Sequence, residues 1–285
     1  MKRIGISSDC MCDLPEEYLK ENDIGIVYFY ITTSTGRFRD GYEITSGNIL
    51  EYLENGGEKS DTAPPSIEEF KKLFEKMLKR YDEIVHFAIS QKLDNGFENA
   101  VNAAKLIGEN KITIVDSGHL STGIGHMVIN AVDMRDRGCS SAEIEEASKA
   151  IRERISTTFM TKNVEYLYRN GRVSKWVNKL CKAFMLYPIL TMKNGYITLK
   201  SIGFGSYENA LTRYVRKELK HSKNIDKKRL FITHAGCTVK TISQVKTEVE
   251  KLCKFDEMIV TKASATISGN CGPDTIGVLF VRTGE

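Results

Sequence analysis

The stretch Arg3-Ile4-Gly5-Ile6-Ser7-Ser8-Asp9-Cys10-Met11-Cys12-Asp13-Leu14-Pro15-Glu16-Glu17-Tyr18-Leu19 decides the fold class. A short apolar run, Ile4 and Ile6, stops at Ser7-Ser8-Asp9, and Asp13-Leu14-Pro15-Glu16-Glu17 reads as a helix start. Asp13 is placed to accept hydrogen bonds from the free N–H groups of that start. Pro15 suits its first turn, and Glu16 and Glu17 suit the positive end of its dipole. A strand leading straight into a helix begins a parallel α/β sheet, whose ligands sit at the carboxyl ends of the strands. That rule puts Ser7, Ser8 and Asp9 at the rim of a site, with polar residues from later strand ends gathered around them.

Working outward, Ile24 to Thr33 is rich in β-branched and aromatic residues and reads as one strand. Ser34-Thr35-Gly36 turns it into a short returning strand, Arg37 to Asp40, and a helix follows over Thr45 to Leu53. Gly56 to Pro65 reads as a loop delivering Thr62-Ala63-Pro64-Pro65-Ser66. Ser66 caps a helix with Phe70, Leu73, Phe74, Met77 and Leu78 on one face. Ile84 to Ile89 and Ile112 to Val115 are continuous apolar runs, the mark of buried parallel strands. Ser90 to Gly96 leads into a helix with Phe97, Ala100, Val101 and Ala104 on one face. A loop holding Gly123-Ile124-Gly125 opens the helix toward Met134, and Ser140 to Ile155 is amphipathic.

After about Thr157 the pattern changes. Thr157 to Thr161 is strand-like, and two short helices flank Asn170-Gly171-Arg172; the second carries Val173, Trp176, Val177, Leu180, Cys181 and Phe184 at core-like spacing. Tyr187 to Met192, the turn Lys193-Asn194-Gly195, and Tyr196 to Lys200 form a hairpin. Helices at Glu208–Leu219 and Thr238–Leu252 alternate with strands at Leu230–Thr233 and Met258–Thr261, and Ile276–Val281 closes the chain. The expectation is an α/β protein of two domains. Residues 1–156 form a three-layer α/β/α domain on a parallel sheet, with a hairpin insertion near 28–44. Residues 157–285 form a two-layer α/β domain on a mixed sheet, with the ligand between the two.

Composition narrows the function. The 285 residues carry 41 Lys and Arg against 37 Asp and Glu, a net charge of +4, well short of a dedicated nucleic-acid binder. The basic cluster Arg213, Arg216, Lys217, Lys220, Lys223, Lys227, Lys228 and Arg229 reads as a solvated face, with the surface of an interaction protein facing an anionic partner as the alternative. Seven scattered cysteines have no zinc spacing, which suits free thiols in a reducing cytoplasm. Neither a signal peptide nor a membrane span is expected, so the reading is cytoplasmic, with a monomer as the default.

In order along the chain, the opening strand with Asp13-Leu14-Pro15, the segment Arg39-Asp40-Gly41, and Thr62 to Ser66 are similar to motifs of the DegV family of bacterial fatty-acid-binding proteins. So are the loop Ser90 to Gly96, Val115-Asp116-Ser117, Glu165-Tyr166-Leu167 with Gly171-Arg172-Val173-Ser174, Pro188-Ile189-Leu190, and Gly272-Pro273 through Gly277. The resemblance runs nearly end to end. It implies a protein that holds a long-chain fatty acid between two domains and presents its carboxylate to a partner fatty acid kinase, with no catalysis, cofactor or metal of its own. It places the head group at Thr62, Asp94, Asn95, Gly96, Gly269 and Asn270. The tunnel or its mouth falls at Ser8, Ala63, Phe97, Gly123, Ile124, Gly125, Phe159, Ile189 and Cys271, and a partner contact at Arg172. At ~0.8 kcal/mol per buried CH₂, a C16 tail offers on the order of 11 kcal/mol before ordering costs.

The sequence departs from the family at the head group. Asp94 stands where the family usually has a carboxylate-binding Ser, and Asn270 where it usually has His. Asp94 beside a fatty carboxylate is a like-charge pair that cannot fully ionise in a desolvated pocket. Three readings stay open: Asp94 turns to Asn95 or the helix start at Phe97; the pair shares a proton; or the pocket holds a different lipid or amphiphile, with a neutral or cationic head.

Two enzyme classes compete. Asp9, Asp13, Asp40, Asp94 and Asp116 near strand ends could hold Mg²⁺ for phosphoryl transfer, although no P-loop sequence is present and such residues more commonly bond loop N–H groups. Ser90 and Cys271 with His119, His126 or His234 supply the parts of a nucleophilic site, while His86 within an apolar strand reads as a core residue.

Overall fold

The computed structural model describes residues 2–57, 60–171, 173–220 and 222–284. The opening apolar run is β1 (Ile4–Asp9), and Asp9 ends it by accepting the Met11 N–H at 3.2 Å, which caps a single tight turn at Cys10–Cys12. The helix after it, α1 (Glu16–Glu21), begins at Pro15 without a side-chain cap. Asp13 does not cap α1. It has a positive φ of 51°, and its carboxylate leaves the helix for Ser121 and Ser264.

The run Ile24–Thr33 is two strands, not one. β2 (Gly25–Val27) joins the parallel sheet, whereas β3 (Tyr30–Thr33) turns away to pair with β4 (Gly36–Arg39). The break falls at Phe29, a buried ring whose N–H bonds to Cys10 Sγ at 3.3 Å instead of a neighbouring strand. Next come α2 (Ser46–Glu54) and a strand that the loop chemistry conceals, β5 (Asp61–Ala63), with Thr62 opposite Ile31 of β3. The half continues with α3 (Ile67–Leu78), β6 (Glu83–Ala88), α4 (Gly96–Ile107), β7 (Ile112–Asp116), α5 (Thr122–Asp136) and α6 (Ser141–Arg152). Ser66–Glu69 and Ser140–Glu143 close reciprocal caps that start α3 and α6.

The four parallel strands lie in the order β2-β1-β6-β7. Phe70, Phe74, Ala100 and Ala103 of α3 and α4 cover one face, and Ile124 and Met127 of α5 with Ile144 of α6 cover the other.

The second half forms a larger sheet. Its elements are β8 (Ile155–Thr161), α7 (Val164–Arg169), α8 (Lys175–Ala183), β9 (Tyr187–Lys193), β10 (Tyr196–Gly203), α9 (Tyr207–Leu219), β11 (Ile225–Ala235), α10 (Val239–Leu252), β12 (Glu257–Lys262), α11 (Ala265–Cys271) and β13 (Thr275–Arg282). The strand order is β10-β9-β8-β13-β11-β12, antiparallel except for the β11–β12 pair. Asn194 and Gly195, both at positive φ, make the two-residue turn between β9 and β10.

Alternation divides this sheet's side chains. Leu230, Ile232, Val278 and Phe280 point to α9 and α10, while Phe231, Leu279 and Val281 share a core with α5. Helix α5 is therefore wedged between the two sheets, and Gly123-Ile124-Gly125 lies in its buried first turn, not in a loop. Trp176 on α8 and Phe184 just past its end are 70% and 65% exposed, contrary to the core reading. The side of α8 carrying Asn178 and Cys181 is the buried one, tied to α7 by Asn178 Nδ2 donating to Glu165 at 2.9 Å. No described helix is long and apolar enough to cross a membrane.

Candidate lipid-binding site

A pocket opens where the carboxyl ends of the parallel strands face the inner side of the mixed sheet, with about 980 Å³ of atom-free space counting its open mouth. Met11, Phe29, Ile89, Leu93 and Leu120 line it from the first half. Phe159, Ile197, Ala235 and Leu279 line it from the mixed sheet, and Leu167 and Ile267 come from α7 and α11. Long apolar walls with a few polar groups suit a ligand that is mostly hydrocarbon.

Thr62, Asp94 and Asn270 all reach this lining, as do Phe159 and Cys271. Asp94 Oδ1 accepts the Gly96 N–H at 2.5 Å, an Asx turn that starts α4. A side chain on Gly96 would stand 2.8 Å from that oxygen, so glycine is what lets the carboxylate fold back. Asn270 Nδ2 donates to the Thr266 carbonyl at 2.8 Å. Among the described lining residues there is no Lys or Arg.

The other expected positions lie elsewhere. Asn95 is exposed, and the buried Gly96 and the half-buried Ala63 and Phe97 are not among the lining residues. Ser8 Oγ donates to the Phe87 carbonyl at 2.9 Å within the sheet. Gly123 and Gly125 are packing positions: a Cβ there would lie 2.5 Å from Thr157 Oγ1 and 2.9 Å from the Cys12 carbonyl, and Ile124 is core. Ile189 points to α9, one residue out of phase with Leu190, which faces inward. Gly269 packs against Ile49 and Ser60. Arg172 lies outside the described residues.

Sequence reading misses most of the apolar wall. Met11, Ile89 with Leu93, and Leu120 are apolar residues just beyond the ends of β1, β6 and β7, a signal that the carboxyl-end rule could have used. Ile197 and Leu279 follow from strand alternation once the inner face is known.

The carboxylates considered for metal binding are engaged by backbone. Asp9 takes the Met11 and Ile89 N–H groups, Asp40 those of Ala265 and Thr266, and Asp116 those of Gln91 and Gly118. Among the described residues no group of His, Cys, Asp and Glu is arranged to hold a metal. Burial raises Asp13 and Asp40 above the ordinary carboxylate range and brings Asp9 to about 7, helped by the nearby Asp94 and Asp40 charges.

The nucleophilic parts do not converge. Ser90 Oγ donates to the Gly195 carbonyl at 2.8 Å, and His119 spans Thr157 and the Arg152 carbonyl. His126 bonds the Leu279 carbonyl at 3.2 Å, and burial pushes the Cys271 thiol up to about 12. His234 belongs to the pocket edge, but strand parity aims its ring toward the α10 side. His86 is a core residue as read, held by Ser7 Oγ at 3.0 Å between the Phe70 and Phe74 rings.

The molecule is thus an α/β protein with an apolar pocket at the carboxyl ends of its parallel strands. Residues 3–283 match the family described as "Uncharacterised protein, DegV family", and the chain belongs to that family. A DegV domain-containing protein of Caldanaerobacter subterraneus subsp. tengcongensis is 26% identical over 282 residues, covering 98% of this chain and 99% of the relative. One from Clostridium acetobutylicum is 26% identical over 287 residues, covering 99% and 100%. Among solved structures, a fatty-acid-binding DegV family protein from Thermus thermophilus superposes with a TM-score of 0.89 at 25% identity, covering 98% of this chain and 99% of that one. A DegV family protein from Eubacterium eligens, loaded with heptadecanoic acid, shares the fold at a TM-score of 0.86 and 21% identity, with 99% and 100% covered.

Proposed function

We propose that this protein binds a long-chain fatty acid in the pocket between its sheets and presents the acid's carboxyl group to a partner fatty acid kinase. The observation that carries the reading is the pocket itself: an apolar cavity whose lining includes the polar residues Thr62, Asp94 and Asn270. The fatty-acid binding described for the Thermus relative supports it. Hydrocarbon burial supplies the affinity, and these polar residues orient the head group. Thr62 offers a hydroxyl donor from β5, and Asn270 offers its amide from the end of α11. The protein supplies binding and presentation, and the kinase supplies the chemistry.

A chain-length series tests the reading. Each added pair of CH₂ groups should tighten binding about 15-fold until the cavity is full, since each contributes ~0.8 kcal/mol. Affinity independent of length from C8 to C16 would contradict a buried tail. For the partner step, charge reversal at Arg172 should slow acyl phosphate formation by an added fatty acid kinase without weakening lipid binding. A loss of lipid affinity would place Arg172 in the pocket instead.

The second reading, a lipid or amphiphile with another head group, draws on Asp94 and on a lining without Lys or Arg among the described residues. A neutral head that donates a hydrogen bond would suit that lining, and the identity of the bound lipid distinguishes the two readings.

A further inference from the structure

Helix α11 forms one wall of the pocket through Thr266, Ile267, Asn270 and Cys271. It is short, and its position is set by groups from the other half of the chain. Asp40 accepts the Ala265 and Thr266 N–H groups, one on each oxygen, both at 2.8 Å. Asp13 accepts the neighbouring Ser264 N–H at 2.8 Å, and its second oxygen takes the Ser121 hydroxyl at 2.5 Å. Ser46 of α2 adds a hydroxyl contact to Ser268 at 2.6 Å. Beyond the helix, Gly272 adopts φ 80° where a Cβ would run into the Tyr166 ring, so that end is fixed by close packing.

Both carboxyl groups are buried, and among the described residues neither has an ion-pair partner. Burying acids without a cation is costly, and an apolar wall would pack without that cost. What the acids add is direction: three consecutive amide groups held at fixed distances prevent α11 from sliding or rotating, as packing alone does not. Neither carboxylate lines the pocket.

We propose that Asp13 and Asp40 are positioning residues for the ligand: they grip the backbone of α11 across the junction of the two halves, and α11 in turn sets Asn270 and Cys271 against the bound head group. The proposal rests on the lipid-binding reading above. By linkage, a ligand that needs α11 in place also holds it there, so binding tightens the grip.

The test uses the full chain with palmitate carrying 13C at its carboxyl carbon. Wild type, Asp40→Asn and Asp13→Asn are compared for affinity, dissociation rate and the carboxyl 13C resonance, with circular dichroism as the check on folding. In Asp40→Asn the amide keeps one acceptor and turns its NH₂ toward the other N–H donor. Dissociation should quicken about tenfold or more, and the carboxyl resonance should move, a change that lost stability alone would not produce. Folded variants with wild-type dissociation and resonance would overturn the proposal. If the variants do not fold, hydrogen exchange on wild type decides. Palmitate should slow exchange at the Ser264, Ala265 and Thr266 amides, and unchanged exchange would overturn the proposal. A wild type that binds no palmitate in the same assay would instead overturn the functional reading, and this one with it.

Discussion

On the proposed function, Asp94 is the residue on which the head-group chemistry turns. Its Oδ1 is held by the Gly96 N–H, and it lines the pocket with Thr62 and Asn270. A serine there keeps an acceptor for the Gly96 N–H while removing a negative charge. Asp94→Ser should therefore tighten fatty-acid binding at pH 8, by isothermal titration. Unchanged affinity would show that the carboxylate does not meet the ligand. The buried histidines give a second prediction. Burial lowers His126 to about 4 and His86 to about 3, so both stay neutral in the fold while the unfolded chain protonates near 6.5. Their contribution is complete above pH 6.5 and is lost as pH falls toward 4 and 3, by roughly 3–5 kcal/mol each. Asp9 works in the opposite sense: its native pKa near 7 means stability declines as pH rises from about 4 to 7. His126→Gln keeps a donor for the Leu279 carbonyl and removes the titration. Its urea midpoint should fall less than that of wild type between pH 7 and pH 4.5. Parallel curves would place the pH dependence elsewhere.

Helix α5 shows what a sequence conceals at the scale of elements. A helix buried on two sides has no polar stripe, so Gly123-Ile124-Gly125 resembles a loop although it packs against β8 and the Cys10–Cys12 turn. Gly123→Ala would press a methyl group to 2.5 Å from Thr157 Oγ1, and should cost about 1–3 kcal/mol by chemical denaturation. No loss of stability would mean that α5 and β8 can separate freely. The strands β6 and β7 and the capped helices α3 and α6 were legible, because their continuous apolar runs and Ser-x-x-Glu caps are local signals. Two features were not. The break at Phe29 depends on a ring turning inward, and β5 is three residues whose only reason to be extended is its partner β3. Trp176 and Phe184 failed for the same reason, since helical spacing says that residues share a face but not what covers it.

For the whole molecule, the motifs along the chain pointed to the family from end to end, and Thr62, Asp94, Asn270, Phe159 and Cys271 come together from segments far apart in sequence. Most of the pocket wall is not legible in the sequence because it is built from strand parity and from apolar residues just past the strand ends. One residue of phase separates Leu190, which faces inward, from Ile189, which does not. The two halves contribute differently to the pocket. The parallel sheet brings loops to the pocket, the mixed sheet supplies a long apolar face, and α11 joins them. The occupant of the pocket decides whether this protein is a fatty-acid carrier. The direct measurement is the intact mass of the purified protein under native conditions, followed by mass spectrometry of the extracted lipid. A C14–C18 fatty acid at one per chain is the predicted result. A stoichiometric ligand without a hydrocarbon chain, or an apolar cavity that takes up no fatty acid when it is supplied, would contradict it.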